Sequence, residues 1–315
     1  MADVAISVVD LVKIYARRGQ PEVRAIDGLS FDVRRCAIFG LLGPNGAGKS
    51  TTLKVLTTIV RPTSGSARVL GHDVATHGLD VRRHISVVIQ EQAAELFLSV
   101  RDNLLTFARF HGRTGPAASR RADEVLEQFG LVDEASRKTM DLSGGFKRRV
   151  QVAKMLMVDT PVMFLDEFST GMDPILKRSV MDLLRRERDA GRTIVLTTQI
   201  LSEAEELCDD ILIMNKGRQV ARGDLHTLKL LSQGVYEVSI TFDRVPDGLL
   251  QELERREPLR LHVSGNTVEI ALRENEEHVL GLVGDLLRRG RVLRVEVGGA
   301  SLEDIFLELM QEVRS

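Results

Sequence analysis

The sequence predicts an α/β fold followed by a smaller α+β domain, and three observations support this prediction. Up to about Leu230, apolar segments of strand length alternate with segments of helical periodicity, as in a parallel sheet covered by helices. A glycine-rich segment at residues 43–50 matches the phosphate-loop pattern G-x-x-x-x-G-K-[ST] at every fixed position. Beyond Leu230 the pattern changes to apolar–polar alternation, which is typical of a half-buried strand.

The first predicted domain spans residues 1–229 and contains a mixed sheet with an antiparallel β edge. Its strands are predicted at residues 4–14, 22–33, 36–42, 84–90, 162–165, 193–197 and 210–214, with a polar turn at 17–21. Its helices are predicted at residues 51–60, 174–190 and 202–208. A helical block at about 99–139 indicates a helical subdomain, about 91–160, inserted to one side of the sheet.

The second predicted domain spans residues 230–315 and is a small α+β accessory domain. Its first strand carries alternate apolar residues: Tyr236, Val238, Ile240 and Phe242. A helix, two strands, a helix, a strand and a last helix follow, and Ser301 and Asp304 form a capping box for that last helix. No catalytic constellation is recognisable in this domain, so we expect docking or regulation from it.

Bulk composition excludes several classes of protein. The 315 residues are 43% hydrophobic and 28% charged, which is ordinary for a globular chain with a buried core. The formal net charge of −2 gives no electrostatic footprint for nucleic acid. The two cysteines, Cys36 and Cys208, lie in no metal-binding spacing and indicate a reducing compartment.

Hydropathy predicts neither a membrane span nor a secretory signal. No run approaches the ~20 apolar residues that cross a bilayer. The N-terminal residues 1–6 carry an acid instead of the basic region of a signal peptide. If the protein acts at a membrane, we expect another chain to hold it there.

The phosphate loop has the chemistry that its position requires. Its glycines let backbone N–H groups close around phosphate oxygens, and the start of the following helix adds a positive dipole end. Lys49 can then reach the β- and γ-phosphates, and the hydroxyl of Ser50 can ligate Mg²⁺. A chance glycine-rich turn would need neither the apolar strand before the loop nor the helix after it.

Two acids end the apolar strand predicted at 162–165. Such a strand delivers a carboxylate to the carboxyl edge of a parallel sheet, where the phosphate loop also lies. Asp166 is therefore predicted to orient the Mg²⁺ shell, and Glu167 to polarise the attacking water as a general base. Adjacent acids at a strand end can also be a solvated turn, a reading that the upstream phosphate loop disfavours.

A second phosphate-binding element is predicted at residues 142–145, Leu-Ser-Gly-Gly. A Ser-Gly-Gly segment that opens a helix presents a hydroxyl, free N–H groups and a dipole to a phosphate. Since the loop at 43–50 already serves one nucleotide, this element is predicted to serve a nucleotide bound by another copy.

With these motifs in this order, residues 5–228 resemble the ATP-binding subunits of ABC transporters. The resemblance implies a P-loop NTPase core with ATP and Mg²⁺ as cofactors. It implies that ATP is bound by Tyr15, Gly43, Asn45, Gly46, Ala47, Gly48, Lys49, Ser50, Thr51, Gln90, Ser143, Gly144, Gly145 and Asp173. It implies catalysis by Glu167, Gln199 and Lys49, and Mg²⁺ ligation by Ser50, Gln90 and Asp166.

Several of these residues come from named motifs of the family. Tyr15 stands where an aromatic ring stacks on adenine, although a single tyrosine at a strand end can also serve packing alone. Gln90 fits the Q-loop, which touches Mg²⁺ and reports to the membrane subunit. Residues 142–145 match the ABC signature, 162–167 the Walker B strand and 171–173 the D-loop.

Three positions depart from the usual family pattern. Phe146 follows the signature where many members have Gln, and Phe168 replaces a frequent Pro, for which the sequence supplies no reason. Gln199 stands where most members carry the switch histidine, and its amide donates only a neutral hydrogen bond. The Thr-Thr-Gln segment and the C-terminal residues 301–306 resemble the daunorubicin-resistance type of exporter ATPase, in which Gln is usual at this site.

The resemblance implies a motor subunit at the cytoplasmic face of the membrane. Two copies, or one copy and a paralogue, would close around ATP and drive a separate multi-span permease, with drug or antibiotic export as the expected transport. Two alternatives stay open at this point. One is an ATP-gated clamp that is not coupled to transport, and the other is a regulatory protein that binds ATP without turnover.

Overall fold

A computed structural model describes residues 3–16, 19, 21–88, 94–231, 235–246, 248–299 and 301–312. The chain forms two compact units, Met1–Val220 and Ala221–Ser315. The division lies before the boundary at 229/230 that the sequence predicts. Its position follows from the helix Leu225–Leu231, which packs against the last helix of the chain and therefore belongs to the second unit.

The strands of the first unit, the last of which runs across the division at 220/221, form two sheets. In chain order they are β1 Val4–Tyr15, β2 Val23–Arg34, β3 Ile38–Leu42, β4 Ser64–Val69, β5 His72–Asp73, β6 Ile85–Val88, β7 Val162–Asp166, β8 Thr193–Thr198, β9 Asp210–Asn215 and β10 Arg218–Gly223. One sheet has the order β10-β9-β3-β8-β7-β6, and its strands from β9 to β6 run parallel. The other has the order β2-β1-β4-β5 and is antiparallel.

The predicted α/β class with a mixed sheet is confirmed, with one difference in the antiparallel part. The strands predicted at 4–14 and 22–33 do not edge the parallel sheet. They belong to a sheet of their own, because β1 pairs with β2 on one side and with β4 on the other. The predicted turn at 17–21 lies partly, and Gln90 wholly, outside the described residues.

The helices of the first unit alternate with its parallel strands as predicted. They are α1 Lys49–Leu56, α2 Gly78–Arg83, α3 Val100–Phe110, α4 Gly115–Gln128, α5 Gly144–Met155, α6 Pro174–Asp189 and α7 Leu201–Leu207. The helix predicted at 51–60 starts earlier and ends earlier than expected. It ends at Leu56 because Thr58 takes a left-handed conformation, with φ of 63°.

Burial places the parallel sheet between two apolar layers. Every residue of β3, β7 and β8 is buried, which is why their sequences do not alternate between apolar and polar residues. One cluster of buried residues joins this sheet to the antiparallel sheet and α1, and another joins it to α3, α4, α5 and α6. Packing on both faces therefore holds the carboxyl ends of the parallel strands in a fixed position relative to both layers.

The second unit has the predicted order of elements after an additional helix. Its elements are α8 Leu225–Leu231, β11 Val235–Phe242, α9 Leu249–Glu254, β12 Arg260–Ser264, β13 Thr267–Arg273, α10 Glu276–Arg289, β14 Val292–Gly299 and α11 Leu302–Glu312. The strands form one antiparallel sheet of order β12-β13-β11-β14. The predicted capping box is present, because Ser301 N–H donates to Asp304 Oδ2 at 3.0 Å and Asp304 N–H donates to Ser301 Oγ at 3.2 Å.

A buried amide organises the start of the helical subdomain. The side chain of Asn103 is almost fully buried, and its Nδ2 donates to Glu95 O at 2.9 Å, Ser99 O at 3.0 Å and Thr139 Oγ1 at 2.9 Å. Its Oδ1 accepts from Glu95 N–H at 2.7 Å. One side chain thus satisfies backbone groups that could otherwise find no partner away from water.

Replacing Asn103 with Leu is expected to lower the free energy of unfolding by about 2–4 kcal/mol, because buried donors and acceptors would lose their partners. Denaturant unfolding of the full chain measures the change. Gln128→Leu is the matched control, since it makes an amide-to-leucine change at an exposed position of α4 and should stay within about 0.5 kcal/mol of the parent. Equal stability of the two variants would contradict this role of Asn103.

Candidate nucleotide-binding site

Two glycines of the 43–50 loop stand where no side chain can be accommodated. Gly43 has φ of 153°, and a Cβ there would lie 2.3 Å from Met214 O. Gly48 has φ of 103°, and a Cβ there would lie 2.4 Å from Ala25 O. The loop therefore packs its backbone against β9 and the start of β2, and α1 begins within the segment at Lys49, with no side-chain cap on its first N–H groups.

Lys49 is buried inside the loop that precedes it. Its Nζ donates to Gly43 O at 2.7 Å and to Pro44 O at 3.1 Å. Burial lowers the pKa of the Lys49 ammonium, and the nearby carboxylates of Glu167 and Asp166 act in the opposite direction. The cation is thus already positioned at the loop by the loop's own carbonyl groups.

Ser50, Asp166 and Thr197 form a hydrogen-bonded row at the carboxyl end of the parallel sheet. Ser50 Oγ donates to Asp166 Oδ1 at 3.1 Å, and Thr197 Oγ1 donates to the same oxygen at 2.5 Å. Asp166 and Thr197 are both buried at the ends of β7 and β8. The structure thus brings together the predicted Ser50 and Asp166, and adds Thr197, which the sequence analysis did not single out.

Glu167 occupies a strained backbone conformation beside Gln199. Its φ is 49°, a left-handed value that costs a non-glycine residue on the order of 1–3 kcal/mol. Its N–H donates to both Thr197 O and Thr197 Oγ1 at 3.1 Å. Gln199 Nε2 donates to Glu167 Oε1 at 2.5 Å. Two of the three predicted catalytic side chains, Glu167 and Gln199, are therefore in direct contact.

Arg148 stabilises this strained segment from the opposite side. Its guanidinium is buried and donates to the carbonyl oxygens of three successive residues, with Nε to Phe168 O at 2.9 Å and Nη2 to Asp166 O at 2.7 Å and to Glu167 O. Nη1 donates to Gln151 Oε1 at 2.6 Å. Burial lowers the pKa of the guanidinium, and the carboxylates of Asp166 and Glu167 oppose that shift.

Phe168, which departs from the family pattern, has a packing role. Its side chain is fully buried in the apolar cluster between the parallel sheet and the helical subdomain. Its carbonyl accepts from Arg148, so the same residue contributes to the core and to the polar contact that orients Glu167. The segment after β7 is therefore held by the burial of Phe168 and by its hydrogen bond from Arg148, without a proline.

An open cavity of about 410 Å³ joins the predicted ATP-binding residues. Its lining includes Tyr15, Asn45, Gly46, Ala47, Gly48, Lys49, Ser50, Thr51 and Glu167. Tyr15 is partly exposed at the end of β1, and Lys13 Nζ lies 5.0 Å from the centre of its ring. The phosphate loop and an aromatic face thus border the same space.

The signature and D-loop residues lie elsewhere. Ser143 caps α5 by accepting from Phe146 N–H at 3.5 Å, and Ser143 and Gly144 are exposed. Asp173 caps α6, its Oδ2 lies 2.9 Å from Arg149 Nη2, and the N–H of Leu176 lowers its pKa. Of the described residues that line the 410 Å³ cavity, none belongs to the signature or the D-loop.

Comparison with known proteins assigns this site to a family. A family described as ABC transporter matches residues 26–170. The chain is 42% identical over 225 residues to the daunorubicin/doxorubicin resistance ATP-binding protein DrrA of Streptomyces peucetius, across 71% of this chain and 67% of that protein. It is 35% identical over 294 residues to the Nod factor export ATP-binding protein I of Ralstonia nicotianae, across 93% and 91%. The chain belongs to the ATP-binding subunits of ABC transporters.

Solved structures of the same family share the fold. One is a structure of the ATP-binding subunit of an ABC transporter, with a TM-score of 0.66 at 26% identity over 72% of this chain and 92% of that one. Another is an ATP-binding cassette solved as a dimer in a post-hydrolysis state bound to ADP and Pi, with a TM-score of 0.65 at 23% identity over 70% and 98%. The predicted resemblance to ABC subunits of the daunorubicin-resistance type is confirmed. Among the described residues of this ABC subunit, no helix is both long and apolar enough to cross a membrane.

Replacing Arg148 with Lys in this ABC subunit is expected to lower the free energy of unfolding by about 2–4 kcal/mol. A lysine keeps the charge, but its single ammonium cannot reproduce a planar fork that donates to four acceptors. Chemical denaturation measures the change, and Arg120→Lys on the exposed face of α4 is the matched control. If the two variants unfolded alike, the guanidinium contacts would not stabilise the strand end.

Proposed function

We propose that this chain hydrolyses Mg²⁺-ATP within a two-copy assembly and drives export through a separate membrane permease. One observation carries the proposal. The chain has two helix starts suited to phosphate, at α1 and α5, and only the first borders the cavity that Tyr15 and Lys49 share.

The exposed signature supports a second copy as the partner. Ser143 and Gly144 present the first turn of α5 to solvent, where the dipole of the helix favours an anion. This surface gives no contact to the cavity of its own chain. Opposing copies arranged head to tail would place each signature against the partner's phosphate loop, and a paralogous subunit could take the same place.

The oxygen donors at the sheet edge fit Mg²⁺. This cation is usually held by one or two protein oxygens together with substrate phosphates and water, and it needs no dedicated protein cage. Ser50 Oγ and Asp166 Oδ1, 3.1 Å apart beside the phosphate loop, would supply such donors. When bound, the cation would neutralise phosphate charge, and Gln90 stays a predicted ligand.

Hydrolysis requires a base beside the γ-phosphate, and Glu167 is the proposed base. Water would attack the γ-phosphorus, the bond to the bridging oxygen of ADP would break, and the proton of the water would pass to the carboxylate. The strained backbone of Glu167 is fixed by contacts with Thr197 and Arg148, so little reorientation is needed. Lys49 would exchange its carbonyl contacts for phosphate oxygens.

Gln199 is proposed to orient that base. Its amide donates to Glu167 Oε1 and so restricts the orientation of the carboxylate. An amide carries no charge at any working pH, so Gln199 supplies a neutral hydrogen bond where a histidine could supply a charged one. Its geometry therefore favours an active site over a degenerate one.

Replacing Glu167 with Gln is expected to lower steady-state ATP hydrolysis about 10²- to 10⁴-fold, because the general base is lost while the size of the side chain is kept. ATP binding should persist, so the variant should accumulate as an ATP-bound dimer. Phosphate release and sedimentation of the full chain with Mg²⁺-ATP measure the two effects.

Glu127→Gln, an exposed change on α4, is the matched control and should hydrolyse ATP at the parent rate. Lys49→Ala measures any hydrolysis by a contaminating ATPase, because this variant lacks the proposed phosphate contact of Lys49. Undiminished hydrolysis in Glu167→Gln would exclude the role proposed for the carboxylate. ATP binding without any turnover in the parent and its permease complex would favour the regulatory alternative.

A second cavity supports a membrane permease as the partner. An apolar groove of about 670 Å³ lies between α2, β6 and α3, and its lining includes Ile59, Leu79, Val87, Phe107 and Phe110. Leu79 is 65% exposed and Phe110 is 83% exposed. Exposed apolar side chains around one groove are typical of a surface that binds a partner. The groove is formed jointly by the ATP-binding core and the helical subdomain, so an apolar segment seated there would sense their relative movement.

This docking would hold the chain at the cytoplasmic face of the membrane. The relatives named for daunorubicin/doxorubicin resistance and for Nod factor export favour export as the direction of transport. We propose that the exported cargo is a drug or an antibiotic, because the relative with 42% identity is named for resistance to daunorubicin and doxorubicin.

Replacing Leu79 with Asp is expected to abolish co-purification of a multi-span partner from gently solubilised native membranes, because a charge would be buried in the groove. Folding should be kept, since Leu79 is exposed in the first turn of α2, where an acid is favourable. Mass spectrometry of the tagged parent and variant measures the retained chains.

Leu280→Asp is the matched control, because Leu280 is 56% exposed in the second unit and the change is chemically the same. It should retain the partner. If Leu79→Asp still recovered the partner, the groove would not be part of the docking surface. Recovery of no membrane protein by the parent would favour the ATP-gated clamp.

A further inference from the structure

The exposed edge of the second unit is unusual for a strand at the end of a sheet. β14 is an edge strand of eight residues, Val292–Gly299, beside β11. Leu293 is 60% exposed and Val297 is 44% exposed. Natural edge strands are commonly protected by lysine, proline or short length, because free backbone groups invite another strand. β14 is long and contains neither lysine nor proline, although it carries Arg294 and Glu296 and has a β-bulge at Leu293 near one end.

The register of β14 assigns its side chains to the two faces of the sheet. Val295 and Val297 pair with Ile240 and Val238, which are buried in the core of the second unit. Arg294 and Glu296 stand on the opposite face, across from Thr241 and Ser239. The edge therefore has one apolar face and one face with a single charge of each sign.

From this pattern we propose that β14 pairs with β14 of a second copy of this chain, antiparallel and centred on Val295. This register sets Val295 against Val295 of the other copy, within the regular part of the strand that follows the bulge at Leu293. On the opposite face it sets Arg294 against Glu296, twice in each dimer. The apolar faces of the two sheets become continuous, and the charges are complementary.

Neighbouring registers are unfavourable for definite reasons. Centring the pair on Arg294 places two arginines opposite each other, and centring it on Glu296 places two glutamates opposite each other. Shifting one strand by one residue relative to the other would place the valines of one copy on the same face as the charged residues of its partner. The sequence of the strand thus selects one pairing over its alternatives, as a specific interface must. This contact needs no nucleotide, so it would keep two copies together between cycles of the proposed ATP-driven closure.

Charge reversal tests the pairing in full-length protein without nucleotide. Arg294→Glu should weaken dimerisation about tenfold or more, because it sets glutamate against glutamate at two points, and Glu296→Arg should do the same with arginines. The double variant Arg294→Glu/Glu296→Arg should restore the dimer. An equimolar mixture of the two single variants should also restore it, because the opposed charges are then complementary between chains. Sedimentation velocity measures each case.

The mixture separates association from folding. Arg294 and Glu296 also contact each other within one chain, so the double variant alone would repair a purely internal effect. The mixture of the two single variants would not repair an effect that is internal to each chain. A monomeric parent, a single variant that dimerises as tightly as the parent, or a mixture that stays monomeric would each overturn the proposal. Dimerisation that persists in Lys49→Ala without ATP keeps this result independent of the proposed ATP hydrolysis.

A cross-link gives a second measurement of the register. Directly opposed Cα atoms in antiparallel strands lie about 4.5–5.5 Å apart, within the reach of a disulfide. In a Cys36→Ser background, which removes the exposed natural thiol, oxidised Val295→Cys should therefore form a covalent dimer. Val263→Cys, on the other edge strand of the same sheet, is the matched control. Failure of Val295→Cys to cross-link faster than Val263→Cys would contradict the register.

Discussion

The buried guanidinium of Arg148 is the contact on which the geometry of the ATP site depends. It carries a positive charge into the interface between α5 and the end of β7, where water cannot solvate it. Three successive carbonyl dipoles and the amide oxygen of Gln151 replace that solvation. Because all four acceptors must converge on one planar group, the helix that starts at the signature and the strand that ends beside Glu167 are fixed relative to each other.

The same contact accounts for the strain at Glu167. A left-handed glutamate persists only where its surroundings determine its position, and here both of its backbone polar groups are engaged. Thr197 joins this residue to Asp166, and Asp166 joins the row to Ser50 at the start of α1. Segments that are far apart in the sequence therefore form one connected polar network, which joins the start of α1, the ends of β7 and β8, and α5.

The sequence analysis singled out more of the residues that meet at this site than of the contacts that position them. The phosphate loop, the Asp166–Glu167 pair and the substitution at Gln199 were all visible, because each depends on a local pattern of residue types. Arg148 was not visible, since in the run Lys147-Arg148-Arg149 it looks like part of a solvated charged face. Only the packing of α5 shows which of the three basic residues turns inward. The separate antiparallel sheet was missed for the same reason, because strand partners such as β4 are set by contacts distant in sequence.

Under the proposed function, the hydrogen bonds of Lys49 to its own loop affect how nucleotides exchange. Lys49 donates to Gly43 O and Pro44 O, so the loop contains an internal ligand in the place of phosphate. An incoming nucleotide must displace that ligand, and part of its binding free energy is used in the exchange. The same contacts are available again when the nucleotide leaves, so the ammonium does not become a buried, unsolvated cation. The loop is therefore suited to repeated release, as a motor that must discharge its product in every cycle requires.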